Sequence, residues 1–219
     1  MTSESGALLE IRNLKKHFQV GGGMFGSMTG KKEYLKAVDG ISLSIEPGTT
    51  YGLVGESGCG KSTTAKMVLM LEEPTDGEIL FDGKDAINAD KEGKRNYKSS
   101  VQAVFQDPWA SLNPRMKVES IIAEPLEVNT TMTRGEIRTK VREILEEVGL
   151  QEYQAELYPH EFSGGQRQRI GVARSLALNP KLIVLDEPVS ALDVSIRAQI
   201  MNLLMDLQKE HGLTYLLIA

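Results

Sequence analysis

"TYGLVGESGCGKSTTAKM", residues 50–67, decides how the rest of the chain is read. Residues up to Val54 read as a strand, and a helix is expected to open near Lys61. Between them "GESGCGKST", residues 55–63, fits G-x-x-x-x-G-K-[ST] with Gly55, Gly60, Lys61 and Ser62. Glycines in such a loop let backbone N–H groups converge on phosphate oxygens, and the helix N-terminus adds partial positive charge. Lys61 is expected to reach the β- and γ-phosphates, the Ser62 hydroxyl to hold Mg²⁺, and Thr63 to contact an α- or β-phosphate. Ser57, Gly58 and Cys59 complete the cradle, with Cys59 a small tolerated residue rather than a redox site.

Nucleotide hydrolysis also needs a metal holder and a group that orients or deprotonates water. "KLIVLDEP", residues 181–188, reads as a strand buried on both faces of a parallel sheet and ending in two carboxylates. Neighbouring strand side chains point to opposite sides, which gives the pair different tasks. Asp186 is assigned to Mg²⁺ and Glu187 to the attacking water.

A second anion site lies in "FSGGQRQR", residues 162–169. Ser163, Gly164 and Gly165 stand at the start of a helix expected to run to about Leu178. One nucleotide does not need two such cradles from one chain, so the natural use is in trans: each of two chains caps the nucleotide held by the other. Arg167 and Arg169 read as surface charges on that helix.

In this order "GESGCGKS", "FSGGQ" and "LIVLDEP" followed by "SALD" resemble the nucleotide-binding subunit of an ABC transporter, from about Leu8 to Ala219. The resemblance implies an α/β P-loop NTPase (RecA-like) core with a mostly parallel sheet, an N-terminal antiparallel β subdomain and an inserted helical subdomain. It places the core and β subdomain at about 7–105 and 166–219, and the helical subdomain at about 106–165. It implies ATP and Mg²⁺ as cofactors. Gln106 becomes a glutamine that senses Mg²⁺ and the membrane subunit, Gln166 part of the trans contact, and Ser190–Asp193 the loop beside it. Phe18 becomes the aromatic that stacks on adenine, with Tyr34 the alternative. Phe162 stands where Leu is commoner in the family, an apolar change. "VFQDPWASLNPRM" and "YPHEFSGGQRQRIGVARSLALNPKLIVLDEPVSALD" are similar, further, to the second (F-type) ATPase of oligopeptide and dipeptide importers. The implied partners are transmembrane permease subunits, a second ATP-binding subunit in a homo- or heterodimer and, indirectly, an extracytoplasmic peptide-binding protein. The implied place is the cytoplasmic face of the membrane, peripherally.

The remaining sequence is consistent with that reading. Lys and Arg number 25 against 30 Asp and Glu, a net charge of −5, so a broad basic face for nucleic acid is not expected. The one cysteine excludes an internal disulfide framework. No signal peptide and no apolar run of about 18 residues is read. Strands are expected at 8–18, 37–45, 76–84 and 101–106, with a turn at Pro47-Gly48. One amphipathic helix carries Ile137, Val141, Ile144, Leu145 and Val148 behind a Thr133/Glu136 capping box and ends at Gly149. Another carries Ile196, Ile200, Leu203, Leu204 and Leu207 and stops at Gly212. Met24, Phe25 and Met28 lie in a Gly-rich surface loop, and Trp109 is expected to pack beside Gln106.

"LTYLLIA", residues 213–219, reads as one more buried strand. In the family such a strand is followed by a switch histidine, and His17, His160 and His211 all sit elsewhere. The expectation is a chain that stops one residue short of that switch, with Mg·ATP binding kept and hydrolysis reduced by about 10²–10³-fold. Two rival classes are a non-catalytic ATP-binding module and a nucleic-acid-handling ABC ATPase. The second normally carries a long coiled-coil insertion that is missing here.

Overall fold

The computed structural model describes residues 6–20, 33–107 and 111–219. Met24, Phe25, Met28 and Trp109 lie outside the described residues. Among the described residues eight strands run in chain order as β1 (Leu9–Val20), β2 (Glu33–Ile45), β3 (Thr50–Leu53), β4 (Asp76–Phe81), β5 (Lys84–Asp85), β6 (Val101–Val104), β7 (Leu182–Asp186) and β8 (Thr214–Ile218). The helices are α1 (Lys61–Val68), α2 (Lys91–Ser100), α3 (Val118–Asn129), α4 (Arg134–Glu147), α5 (Gly164–Leu176) and α6 (Val194–His211). No helix among the described residues is long and apolar enough to cross a membrane.

The strands form two sheets. One is antiparallel in the order β2-β1-β4-β5, and the other is parallel in the order β3-β8-β7-β6. The parallel sheet separates two apolar clusters, and the alternation of its side chains decides which residue joins which. Leu182 and Val184 of β7 and Leu216 and Ile218 of β8 pack with α1, Tyr97 of α2 and the antiparallel sheet. Ile183, Leu185 and Tyr215 point the other way, onto residues of α3, α4, α5 and α6. Strands covered on both faces need an apolar side chain at every position, which is why "LIVL" and "TYLLI" show no polar alternation.

Most expected elements are present with shifted ends. β1 runs on to Val20, and β2 begins at Glu33 rather than residue 37, because the two strands continue to pair beyond the core. β3 stops at Leu53, and Val54 is 77% exposed. The capping box of α4 is present, with Glu136 Oε2 accepting the Thr133 N–H at 2.7 Å. α2 was not anticipated. Its sequence KEGKRNYKSS is polar except for Tyr97, so it carries no apolar stripe to read. Tyr97 anchors it, with its ring buried against Phe81 and its hydroxyl donating to Val68 O at 2.6 Å.

Leu145 has no exposed surface in the cluster around α4 and α5. Leu145→Ala is expected to cost about 2–5 kcal/mol of stability, whereas the exposed Glu143→Ala on the same helix changes little. Urea unfolding followed by circular dichroism checks both.

Candidate functional site

Parallel strands deliver their carboxyl ends to one edge of a sheet, and loops leaving that edge can converge on a ligand. β3 leads into the loop 54–60, β6 into Phe105 and Gln106, and β7 into Glu187. At this edge a cavity of about 350 Å³ is lined by Gly55, Ser57, Gly58, Gly60, Lys61, Ser62, Thr63, Glu187, Ala219 and Ala37. Size does not single it out. A cavity of about 390 Å³ against Met67 and Met70 and one of about 260 Å³ against Phe81 and Tyr97 are comparable. What distinguishes the first is its chemistry, a loop rich in glycine that opens a helix and holds a lysine.

Gly60 is the residue that makes this loop possible. It caps α1 with φ 99°, a conformation L side chains rarely adopt, and a Cβ there would lie 2.4 Å from Ala37 O. The loop therefore approaches the backbone of β2 closely, which explains why Ala37 lines the cavity. Lys61 Nζ donates to Gly55 O at 2.6 Å and Glu56 O at 3.0 Å, so its ammonium is held over the loop. Thr64 fixes the next turn by donating from its hydroxyl to Gly60 O. Cys59 is exposed, with its Sγ against Gly55.

Asp186 and Glu187 are separated by a change of backbone rather than by strand alternation. β7 ends at Asp186, and Glu187 has φ 46° with its N–H donating to Ile218 O at 3.1 Å. The left-handed step is what sends Glu187 into the cavity. The alternation argument holds through Asp186, whose side chain faces α1, and stops there. Burial first, and then the charge of Glu187, push the Asp186 carboxyl above its ordinary range, while Lys66 and Lys61 oppose the shift. A half-buried carboxylate with uncompensated charge suits a cation. No cluster of three or more His, Cys, Asp or Glu side chains that could hold a metal occurs among the described residues. Mg²⁺ takes one or two protein ligands and fills its shell with phosphate oxygens and water. Ser62 and Asp186 are the residues here that could hold it.

Several other sequence-selected residues lie outside the cavity. Gln106 is exposed, two residues beyond the end of β6. Phe18 pairs with Leu35 on the outer part of β1 and lies beneath the Lys16 ammonium, 5.0 Å from the ring centroid. Tyr34 pairs with Gln19 and is 53% exposed. Ser163 caps α5 by accepting the Gln166 N–H, while Gln166 Oε1 accepts the Ser163 N–H at 3.0 Å. Of the glycines beside it, Gly165 is required by packing, since a Cβ would meet Ile196 Cγ2 at 2.5 Å. Arg167 and Arg169 are not the surface charges expected of them. They are half-buried and donate to Pro159 O and Val148 O, tying α5 to the helical segment before it.

Two residues were missed. Ala37 gave no signal, because its place depends on a long-range contact. Arg197 donates to Leu192 O at 2.6 Å and Ser190 O at 3.0 Å, fixing the loop 190–193. A cation one turn into a helix reads in sequence as a surface charge. The histidines are engaged elsewhere: His17 with Asp39, His211 with Glu147, and His160 stacked on Tyr158.

The ABC transporter family matches residues 38–190, and the chain belongs to that family. It is 53% identical to the oligopeptide transport ATP-binding protein AppF of Bacillus subtilis, over 97% of this chain and 64% of that protein. It is 50% identical to the dipeptide transport ATP-binding protein DppF of Haemophilus influenzae, over 99% of this chain and 65% of that protein. The chain thus spans just under two thirds of the length of these relatives. Among solved structures, a dimeric ATP-binding cassette in a post-hydrolysis state bound to ADP and Pi superposes with a TM-score of 0.81 at 30% identity, covering 96% of this chain and 87% of that one. The resemblance drawn from the motifs is borne out, as are the parallel sheet and the separate antiparallel one.

The raised Asp186 has a consequence for stability. The folded chain binds this proton more tightly than the unfolded chain, so the contribution is fully present below the ordinary carboxylate range and is lost as pH rises through the raised value. Without divalent cations, Asp186→Asn is expected to melt higher than the unsubstituted chain at neutral pH. The advantage should vanish below about pH 4. Thermal melts in chelator across that range check the sign.

Proposed function

We propose that this chain binds Mg·ATP at the 350 Å³ cavity and hydrolyses it, as the ATP-binding subunit of a peptide-importing ABC transporter. The observation that carries the reading is a single cavity with Lys61 and the loop glycines on one side and Glu187 on the other. The loop N–H groups and Lys61 bind the polyphosphate. Ser62 and Asp186, with Gln106 completing the set, would hold Mg²⁺, which would supply positive charge against the polyphosphate. Glu187 orients the attacking water and takes up its proton. Phe18 stacks on the adenine, at the far end from the phosphates.

The second half of the reading is an assembly. Ser163, Gly164, Gly165 and Gln166 act on the nucleotide of a second ATP-binding subunit, identical or a sibling. Three observations support this: Ser163 is exposed, it heads a helix of 13 residues, and it lies outside its own chain's cavity. The superposed ATP-binding cassette, itself dimeric, agrees with it. Residues of about 106–165 form the helical subdomain that faces transmembrane permease subunits. Binding to the permease places the chain peripherally on the cytoplasmic face of the membrane. A peptide-binding protein outside the cell acts on it only through the permease, and no nucleic acid takes part. The names of the relatives AppF and DppF support peptides as the cargo.

Titration calorimetry and phosphate release with Mg·ATP test the site. Lys61→Ala is expected to weaken ATP binding about 10–100-fold, the worth of charge-assisted hydrogen bonds. Glu187→Gln is expected to keep the affinity and lose turnover by about 10²–10³-fold. Turnover by Glu187→Gln at the unsubstituted rate removes Glu187 from the chemistry. Binding without any turnover by the unsubstituted chain makes it an ATP-holding module instead.

A further inference from the structure

Three neighbouring strands carry a left-handed residue at one level of the antiparallel sheet. Asn13 in β1 has φ 47°, Gly40 in β2 has φ 91° and Gly77 in β4 has φ 96°. Asn13 lies against both glycines. Asn13 Oδ1 lies 2.8 Å from where a Cβ on Gly40 would stand, and Asn13 O and Leu14 Cα lie 2.5 and 2.6 Å from where one on Gly77 would stand. The pairing breaks at the same level. β1 shifts register against β2 between Ile11 and Leu14 and again between Leu14 and Lys15, and against β4 between Arg12 and Lys15. Side chains take up the displaced backbone donors: Ser42 Oγ accepts the Asn13 N–H at 2.8 Å, and Asp76 accepts the Gly77 N–H at 2.9 Å. A bulge bends its strand and increases the local twist. Bulges in β1 and β2, beside the left-handed Gly77 of β4, make a crease across the sheet.

Beyond the crease β4 pairs once more, Asp76 opposite Lys15, and the residues before it stay bonded to β1: Thr75 N–H donates to Lys15 O at 2.7 Å, His17 N–H to Thr75 Oγ1 at 3.0 Å and Lys16 Nζ to Glu73 O at 2.7 Å. Lys16–Val20 of β1 and Glu33–Val38 of β2 continue as a two-stranded arm. A ribbon of two strands is marginal by itself, so its angle is set by what holds its base, where residues 73–75 bond Lys16 and His17. The crease lies directly below that base, and a third register shift, between Lys16 and His17, leaves Ala37 unpaired within it. There the carbonyl of Ala37 and the Cγ2 of Val38 lie 2.4 and 3.2 Å from where a Gly60 Cβ would stand.

We propose that Asn13, Gly40 and Gly77 are positioning residues for the phosphate loop. The crease they form sets the height at which the Ala37 carbonyl meets Gly60, and through it the aim of the loop N–H groups. None of the three lines the cavity; they act through Ala37. The inference rests on the reading of that loop as the ATP site.

Gly77→Ala tests it, because the atoms in the way are backbone and β1 must move away from β4. Gly83→Ala is the control. It sits beside the same sheet with φ 72° and nothing within 4 Å of its Cβ, so it strains the backbone without displacing a strand. Binding of Mg·ATP and of Mg·tripolyphosphate is measured by titration calorimetry well below each variant's melting temperature. Gly77→Ala is expected to weaken both ligands by the same factor, about tenfold, as a small misplacement of binding groups does. Gly83→Ala is expected to melt lower and bind both unchanged. Unaltered affinity in Gly77→Ala, or an equal loss in Gly83→Ala, overturns the proposal. So does a loss confined to ATP, which puts the effect at the nucleoside end rather than at Gly60. Should Gly77→Ala not fold, Gly40→Ala carries the same test, since its obstacle is the Asn13 side chain, which can turn aside; the same pattern with a smaller loss is expected. An unsubstituted chain that binds neither ligand overturns the nucleotide reading, and this one with it, before any variant is made.

Discussion

Burial of β7 and β8 on both faces is the constraint from which the rest follows. Two strands walled in by separate apolar clusters can carry no polar side chain along their length unless it is paired. Ionisable groups are therefore driven to where the strands end. In a parallel sheet those ends share one edge, and the chain leaves it three times within a few residues of a polar group: after Leu53, after Val104 and at Asp186. The chemistry is concentrated there because the sheet excludes it elsewhere. Asp186 marks the boundary, half-buried behind an apolar run, and its raised carboxyl is the electrostatic trace of that position.

The phosphate loop depends on a different contact. A Gly-rich loop that opens a helix can offer N–H groups to an anion, but a loop with that much freedom has to be held. Here the Ala37 carbonyl lies against Gly60 on one side, and Lys61 closes the other by bonding to Gly55 and Glu56. The antiparallel sheet is thus more than a neighbour of the core. Its bulges bring a main-chain carbonyl from β2 to the N-cap of α1, and the fit is close enough that no side chain is tolerated between them.

The N-terminus of α5 shows how one short motif can serve two purposes. Ser163 and Gln166 satisfy each other's backbone N–H groups, Gly165 lets α6 approach through Ile196, and Gly164 lies against Leu192. Arg167 and Arg169 bind carbonyls of the preceding segment. The helix end is rigid, and one face of the Ser163 residue remains open. A group intended for a second molecule benefits from such rigidity, since little ordering remains to be done on contact.

The parallel strands, the phosphate loop with its helix, the acidic strand end and the capped helices were legible in the sequence. Each is a local pattern: "LIVL" is apolar throughout because both faces are covered, Thr133 and Glu136 are three residues apart because the cap needs that reach, and Lys61-Ser62 follow Gly60 because the helix starts there. α2 escaped notice because a helix anchored by one tyrosine shows no periodicity. Only the tertiary structure decided the left-handed turn at Glu187, the half-buried contacts of Arg167 and Arg169, the hold of Arg197 on residues 190–193 and the place of Ala37 in the cavity wall. These are contacts between segments, or backbone states enforced by them. Ala37 meets Gly60 across a gap between two segments, and no spacing along the chain encodes such a distance.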